Sequence, residues 1–234
     1  MSGHSKWATT KRHKAVIDAK RSSIFTKLAR NITLAAKTGK NLDIAIEAAK
    51  KASMPKDNIQ RAIDRGTGKI AGDAIETINY EVYGPNAIGV IVKAVTDNKN
   101  RALSEIKAVL NRNNGRLANS GAVSYLFEEQ GVIEFPKNNQ TLSGEELEMV
   151  IIEAGAKDYT IEDDIVYVYT DPKQLSKIKE ALEFKSLKID NAKIEYSPKN
   201  YVDVPEESKD TVIGLLQALE DLDDIDEVYT NANL

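Results

Sequence analysis

The residues best suited to chemistry with a charged partner lie at the start of the chain. Residues 1–40 hold ten Lys and Arg against a single acid, Asp18. The candidate nucleic-acid-binding set is Lys6, Trp7, Lys11, Arg12, Lys14, Lys20, Arg21, Lys27, Arg30 and Lys37. Cations at this density bind phosphates, release condensed counterions and lose affinity steeply as salt rises. Such contacts position a protein on a polyanion without reading its sequence. Trp7, the only tryptophan, has two readings. An exposed indole would stack on an unpaired base, worth about 1–3 kcal/mol, and would favour RNA or single strands over duplex. A buried indole would pin the arm to the body of the protein.

Other chemistries lack the groups they need. The absence of cysteine removes disulfides, thiolate metal sites and cysteine nucleophiles. His4 and His13 are the only histidines, and only Asp18 stands near them. A zinc site needs three or four ligands, so no metal is expected, and phosphate hydrogen bonding or plain solvation is the better use of both. The stretch Gly66-Thr67-Gly68-Lys69 fails as a phosphate loop, because position 63 is Ile and Ile70 follows the lysine. The acidic runs at 162–164 and 220–227 lack the glycine-interrupted spacing of a calcium loop. They read as solvated faces, with two further uses open: repelling nucleic acid from the body, or facing a basic protein. With no nucleophile elbow, no cofactor motif and no small-molecule site, the chain reads as a non-enzyme. No apolar run approaches the roughly 20 residues that span a membrane, and a cytoplasmic location is expected.

The elements that must position these cations follow from periodicity. In a chain of 234 residues, the first 72 hold 16 Lys and Arg against 5 acids, and the remainder 16 against 31. A chain polarised in this way presents one segment to an anionic partner. At about 100° per residue, Ile17, Ile24, Phe25, Leu28, Ile32, Ala35 and Ala36 share one arc of a helix over 17–37, and Lys20, Lys27, Arg30 and Lys37 the opposite arc. Gly39 closes it. A second helix covers 42–52, and Pro55 opens a third as its first residue. The third offers Lys56, Asn58, Gln60, Arg61 and Arg65, side chains suited to base edges. Gly66, Gly68 and Gly72 read as a hinge.

From Thr77 the pattern mixes strands and helices. Tyr80, Val82 and the run 88–95 read as strands, followed by a helix with Leu103, Ile106 and Leu110 inward. The segments 123–127 and 132–135 also read as strands. Ser143 and Glu146 suggest a capping box. Strand 165–169, helix 175–184 and strand 192–196 complete another α+β unit. A strand at 201–204, a leucine-rich helix from Val212 to Leu222 and a strand at Val228-Tyr229 are left over, and they complete the first sheet if the other unit is an insertion. Lys99, Arg101, Arg112 and Arg116 either extend the basic footprint or are ordinary solubility charge.

The opening Met1-Ser2-Gly3-His4-Ser5-Lys6-Trp7, Arg12-His13-Lys14, Met54-Pro55-Lys56-Asp57-Asn58-Ile59 and Arg65-Gly66 resemble the YebC/PmpR family. So do Tyr83-Gly84-Pro85, Thr96-Asp97-Asn98-Lys99-Asn100-Arg101, Gly121 to Phe127, Leu219 to Asp224 and Val228 to Asn231. The resemblance covers essentially the whole chain. It implies an α+β multidomain protein: an N-terminal three-helix bundle followed by two α+β domains, the third inserted in the second. The corresponding boundaries are 1–76 for the bundle with its arm, 77–131 plus 201–234 for the second domain, and 132–200 for the third. It implies a DNA-binding transcriptional regulator or, as in its mitochondrial relatives that activate translation of a cytochrome oxidase subunit, a ribosome-associated translation factor. The expected partner is nucleic acid, either DNA or ribosomal RNA within the ribosome, with no membrane and no cofactor.

Overall fold

The computed structural model describes residues 21–39, 41–72, 74–139, 142 and 144–234, and of Arg21, Ser22 and Asn139 only the backbone. Three helices come first: α1 (Arg21–Thr38), α2 (Leu42–Lys51) and α3 (Lys56–Gly66). Their apolar positions recur at three- and four-residue spacing, so each presents one stripe. The stripes meet in a core of Ile32, Ala49, Met54, Ile59 and Ala62, flanked by Phe25, Leu28, Leu42, Ile46 and Ile63. Alanine on all three helices lets them approach closely. Gly66 shows how closely: a Cβ there would stand 2.3 Å from the Thr33 carbonyl oxygen and 2.7 Å from the Ala36 Cβ. Gly66 is therefore a packing glycine at the end of α3, not part of a hinge. Pro55 occupies the N-cap of α3 instead of its first turn.

The first sheet contains β1 (Glu76–Tyr83), β2 (Gly89–Thr96), β3 (Arg116–Leu117) and β9 (Ile225–Thr230), in the order β3-β1-β2-β9, all neighbours antiparallel. Val82, Val90, Val92 and Ala94 join a core with Ile106 and Leu110 of α4 (Lys99–Arg112) and Val212, Leu215, Leu216 and Leu219 of α7 (Glu206–Glu220). The inward residues of α4 are Ala102, Ile106 and Leu110, while Leu103 is half-buried. Side chains alternate along a strand, so Ile91, Lys93 and Val95 of β2 point to the opposite face, against which α1 packs. A short parallel pair, β8 (Val202–Asp203) with β10 (Ala232–Asn233), closes the C-terminal end.

The chain divides into two compact units, and residues 128–197 form one of them. The other holds the three helices and the first sheet. Residues 128–197 carry a four-stranded sheet in the order β5-β6-β4-β7, from β4 (Phe127–Pro136), β5 (Asp158–Glu162), β6 (Ile165–Thr170) and β7 (Asn191–Pro198). Val132, Tyr167 and Tyr169 form its core on one face. Ile133, Phe135, Val166 and Val168 alternate with them and are buried, as are Leu147 and Ile151 of α5 (Glu145–Glu153) and Leu175, Ile178 and Leu182 of α6 (Leu175–Phe184). Helix α5 starts at Glu145 with Gly144 at its N-cap. Ser143, on which the expected capping box depends, lies outside the described residues. This sheet interrupts the chain of the other unit, whose strand β9 returns after it to pair with β2.

Candidate nucleic-acid interface

Lys6, Trp7, Lys11, Arg12, Lys14 and Lys20 lie outside the described residues, as does the side chain of Arg21. The other three candidates are in α1, and each has a partner within the protein. The Lys27 ammonium donates to the carbonyl of Glu220 at 2.6 Å. Glu220 is the last residue of α7, where helix carbonyls lack intrahelical donors and the helix dipole is negative. Arg30 donates to the carbonyl of Asp223 at 2.6 Å and pairs with the carboxylate of Asp224 at 2.8 Å. The Lys37 ammonium reaches the carbonyl of Ile75 at 3.2 Å, although the residue stays largely exposed.

Neighbouring α1 residues continue the same contact. Ser23 Oγ donates to Asp223 Oδ1 at 3.0 Å, and Asn31 Nδ2 to Asp226 Oδ1 at 2.7 Å. Residues 23, 27, 30 and 31 lie one or two turns apart, so one helical face docks on the turn between α7 and β9. That turn is the acidic run at 220–227. It is not wholly a solvated face: Asp224 is only 1% exposed, while Asp221 and Asp223 stay exposed.

Asp224 is the centre of the contact. Arg101 grips it with two parallel bonds, Nε to Oδ2 and NH2 to Oδ1, both 2.8 Å, while also reaching Asp97 at 2.7 Å. A planar guanidinium suits this two-pronged geometry and a lysine would not. Its bonds to Asp224 and then to Asp97 hold the Arg101 pKa above its ordinary value. The Asp97 carboxyl is held below the usual range, chiefly by the bond from Arg101. Arg101 is thus structural, and Lys99 pairs with Glu76 at 2.8 Å. Of the four second-domain cations, only Arg112 and Arg116 lack an ion-pair partner among the described residues.

A second construction lies at the other edge of the same sheet. Glu81 of β1 is 8% exposed, and its carboxylate accepts three backbone N–H bonds. They come from Gly121 at 2.6 Å, Val123 at 2.5 Å and Ser124 at 2.8 Å. Burial alone would raise its pKa, but the three backbone donors together with the Ser124 hydroxyl outweigh burial and hold it low. The Tyr83 hydroxyl donates to the carbonyl of Ala122 at 2.8 Å, and Arg116 lies 4.9 Å over the Tyr83 ring. The segment 123–127, which alternates like a strand, is instead a loop with a 3-10 turn at Ser124–Leu126. Val123 and Phe127 turn inward, whereas Tyr125 is 64% exposed.

Glu81 and Tyr125 were not singled out from sequence. The available signal was compositional: residues 106–127 contain Lys107, Arg112 and Arg116 and no acid, within a body that is otherwise strongly acidic. Among the described residues, α3 ties Arg61 to the Asn58 side chain at 2.5 Å and Gln60 to Asp64 at 3.0 Å. No helix among the described residues is long and apolar enough to cross a membrane.

Residues 5–69 match the family model for the TACO1/YebC protein N-terminal domain, and residues 75–232 that for the TACO1/YebC second and third domain. A "Probable transcriptional regulatory protein" of Pelodictyon phaeoclathratiforme is 43% identical over 242 residues, spanning 100% of this chain and 96% of that protein. One of the same name from Pseudothermotoga lettingae is 45% identical, covering 99% and 93%. The crystal structure of the conserved hypothetical protein Aq1575 of Aquifex aeolicus superposes with a TM-score of 0.85 at 42% identity, covering 94% of this chain and 93% of that one.

Proposed function

The chain belongs to the TACO1/YebC family, and from that premise we propose that it is a non-enzymatic regulator of gene expression that acts by binding nucleic acid. The observation that carries this is the charge of its N-terminal segment. Three of the ten candidate cation and stacking positions are engaged inside the protein. Residues 1–21 still hold six Lys and Arg, namely Lys6, Lys11, Arg12, Lys14, Lys20 and Arg21, against Asp18 alone. We place them, with Trp7, at the contact, and place transcription first because the relatives carry that name.

Translation is the second reading, with ribosomal RNA as the partner. A helix-turn-helix protein would read bases with the polar face of a helix in the major groove. Here Arg61 and Gln60 of α3 bond to their own helix, which suits backbone tracking better than base readout.

Sedimentation of the tagged protein from lysate, with and without deoxyribonuclease, separates the two. Migration with ribosomes that survives deoxyribonuclease and is lost at high salt makes it a translation factor. A light species shifted by deoxyribonuclease makes it a DNA-bound regulator. The arm is tested by reversing Lys6, Lys11, Arg12 and Lys14 to Glu, which leaves the docked face of α1 alone. Wild-type affinity should fall by about three orders of magnitude between roughly 50 and 200 mM salt if some six phosphates are contacted. The reversed protein should show little binding to lose; unchanged binding and salt slope would remove the arm from the interface.

A further inference from the structure

We propose that the loop at 118–126 is a second nucleic-acid contact, a platform on which Tyr125 stacks one unpaired base while Arg112 and Arg116 hold adjacent phosphates. This rests on the nucleic-acid binding proposed above and adds to it a place and a form of ligand.

Large aromatic side chains are normally buried, and Tyr125 at 64% exposure sits on a loop that is held rather than loose. Glu81 fixes the N–H groups of Gly121, Val123 and Ser124, Tyr83 fixes Ala122, and the Lys199 ammonium donates to the carbonyl of Tyr125 itself at 3.0 Å. Leu126 and Val123 seat the loop against Gly89, where a Cβ would meet both at 2.9 Å. A buried carboxylate with three charge-assisted bonds is a strong device, and here it holds the backbone that carries an exposed ring. With the backbone already held, only the side-chain torsions of Tyr125 remain to be ordered on stacking. Every base has a π-face, so such a platform tolerates sequence.

The surroundings match an anionic, unpaired strand. Arg116, stacked over Tyr83, is carried to the loop by the bond from Tyr83 to Ala122, and Arg112 ends α4 four residues earlier. Neither has an ion-pair partner among the described residues, and no acid lies between Lys107 and Phe127. Paired bases in a duplex are already stacked on their neighbours, so the ring should select single strands.

The test uses the full chain and fluorescence anisotropy with two probes: a short fluorescein-labelled oligoadenylate RNA and a duplex DNA of equal length. Tyr125→Ala should weaken RNA binding by about ten-fold or more and leave duplex binding as it was. Tyr125→Phe, which keeps the ring face, should bind RNA like the wild type. Arg112→Gln with Arg116→Gln should lower the salt slope for RNA by about 1.4, two phosphates on a single strand. Three results overturn the platform: RNA affinity unchanged by Tyr125→Ala, equal loss toward RNA and duplex, or Tyr125→Phe as weak as the alanine variant. A wild type that binds duplex and not RNA also overturns it while leaving the regulator intact. A wild type that binds neither overturns both.

Discussion

Two basic regions of one unit end up with opposite fates. The cationic face of α1 is turned inward onto the end of α7 and the turn behind it, where carbonyls and Asp224 neutralise it. Arg112 and Arg116, fewer in number and less conspicuous in the sequence, remain exposed, a few residues before an exposed tyrosine. Density of charge along a chain measures attraction to any anion, and the protein's own acidic segment is an anion at high effective concentration. The densest patch in the described residues is therefore the one satisfied internally. An open pair of arginines preceding a pinned loop is the better candidate for an outside ligand.

The contrast breaks most visibly at Asp224. Truncating it to alanine leaves Arg30 and Arg101 without their shared carboxylate at a buried point. Breaking a buried pair costs 3–5 kcal/mol, and the partial exposure of both arginines reduces this to about 2–3 kcal/mol. Urea unfolding should show the loss as a lower midpoint at unchanged slope, and an unmoved midpoint would mean that the α1 docking is not structural. For the same reason, reversing Lys27, Arg30 and Lys37 to Glu would disrupt the fold as well as any binding, so it cannot serve as a clean test of the interface.

A smaller effect is expected at Glu81. Glutamine keeps the shape but replaces a charged acceptor of three N–H bonds with a neutral one, at a cost of about 1–2 kcal/mol near neutral pH. The folded state holds the Glu81 pKa below its ordinary value. Its contribution is thus complete above the unfolded value, about 4.3, and disappears as pH falls through the lower folded one. Stability curves of wild type and Glu81→Gln should separate at pH 7 and converge in strong acid. Curves separated by the same amount at both ends would show that the charge is not what holds the loop.

The smallest effect sharpens the contrast instead of breaking it. Tyr125→Ala should change thermal stability by no more than about 0.5 kcal/mol, as for an exposed side chain with no core contact. A large loss would make Tyr125 a packing residue and remove the reason to look for a ligand there.

Much of the architecture was legible from local pattern. Helical spacing placed α1 to α4 and α7, and the leftover strand at Val228-Tyr229 announced a sheet completed across an insertion. The exceptions share a cause. Gly66 read as a hinge because a glycine's freedom is visible in sequence and the proximity of Thr33 is not. Val123, Tyr125 and Phe127 alternate like a strand, but Glu81, some forty residues away, imposes a turn by collecting the backbone N–H groups that a ladder would have used.

The sequence by itself determined the family, the helices and the central strands, and the separation of charge between the first 72 residues and the rest, because these depend on residue type and short spacing. Only the tertiary structure decided which charges are free. Lys27 and Arg30 meet Glu220, Asp223 and Asp224 across nearly two hundred residues. No period or motif encodes that meeting. It exists because β9 returns to β2 and carries the acidic turn to the face of α1.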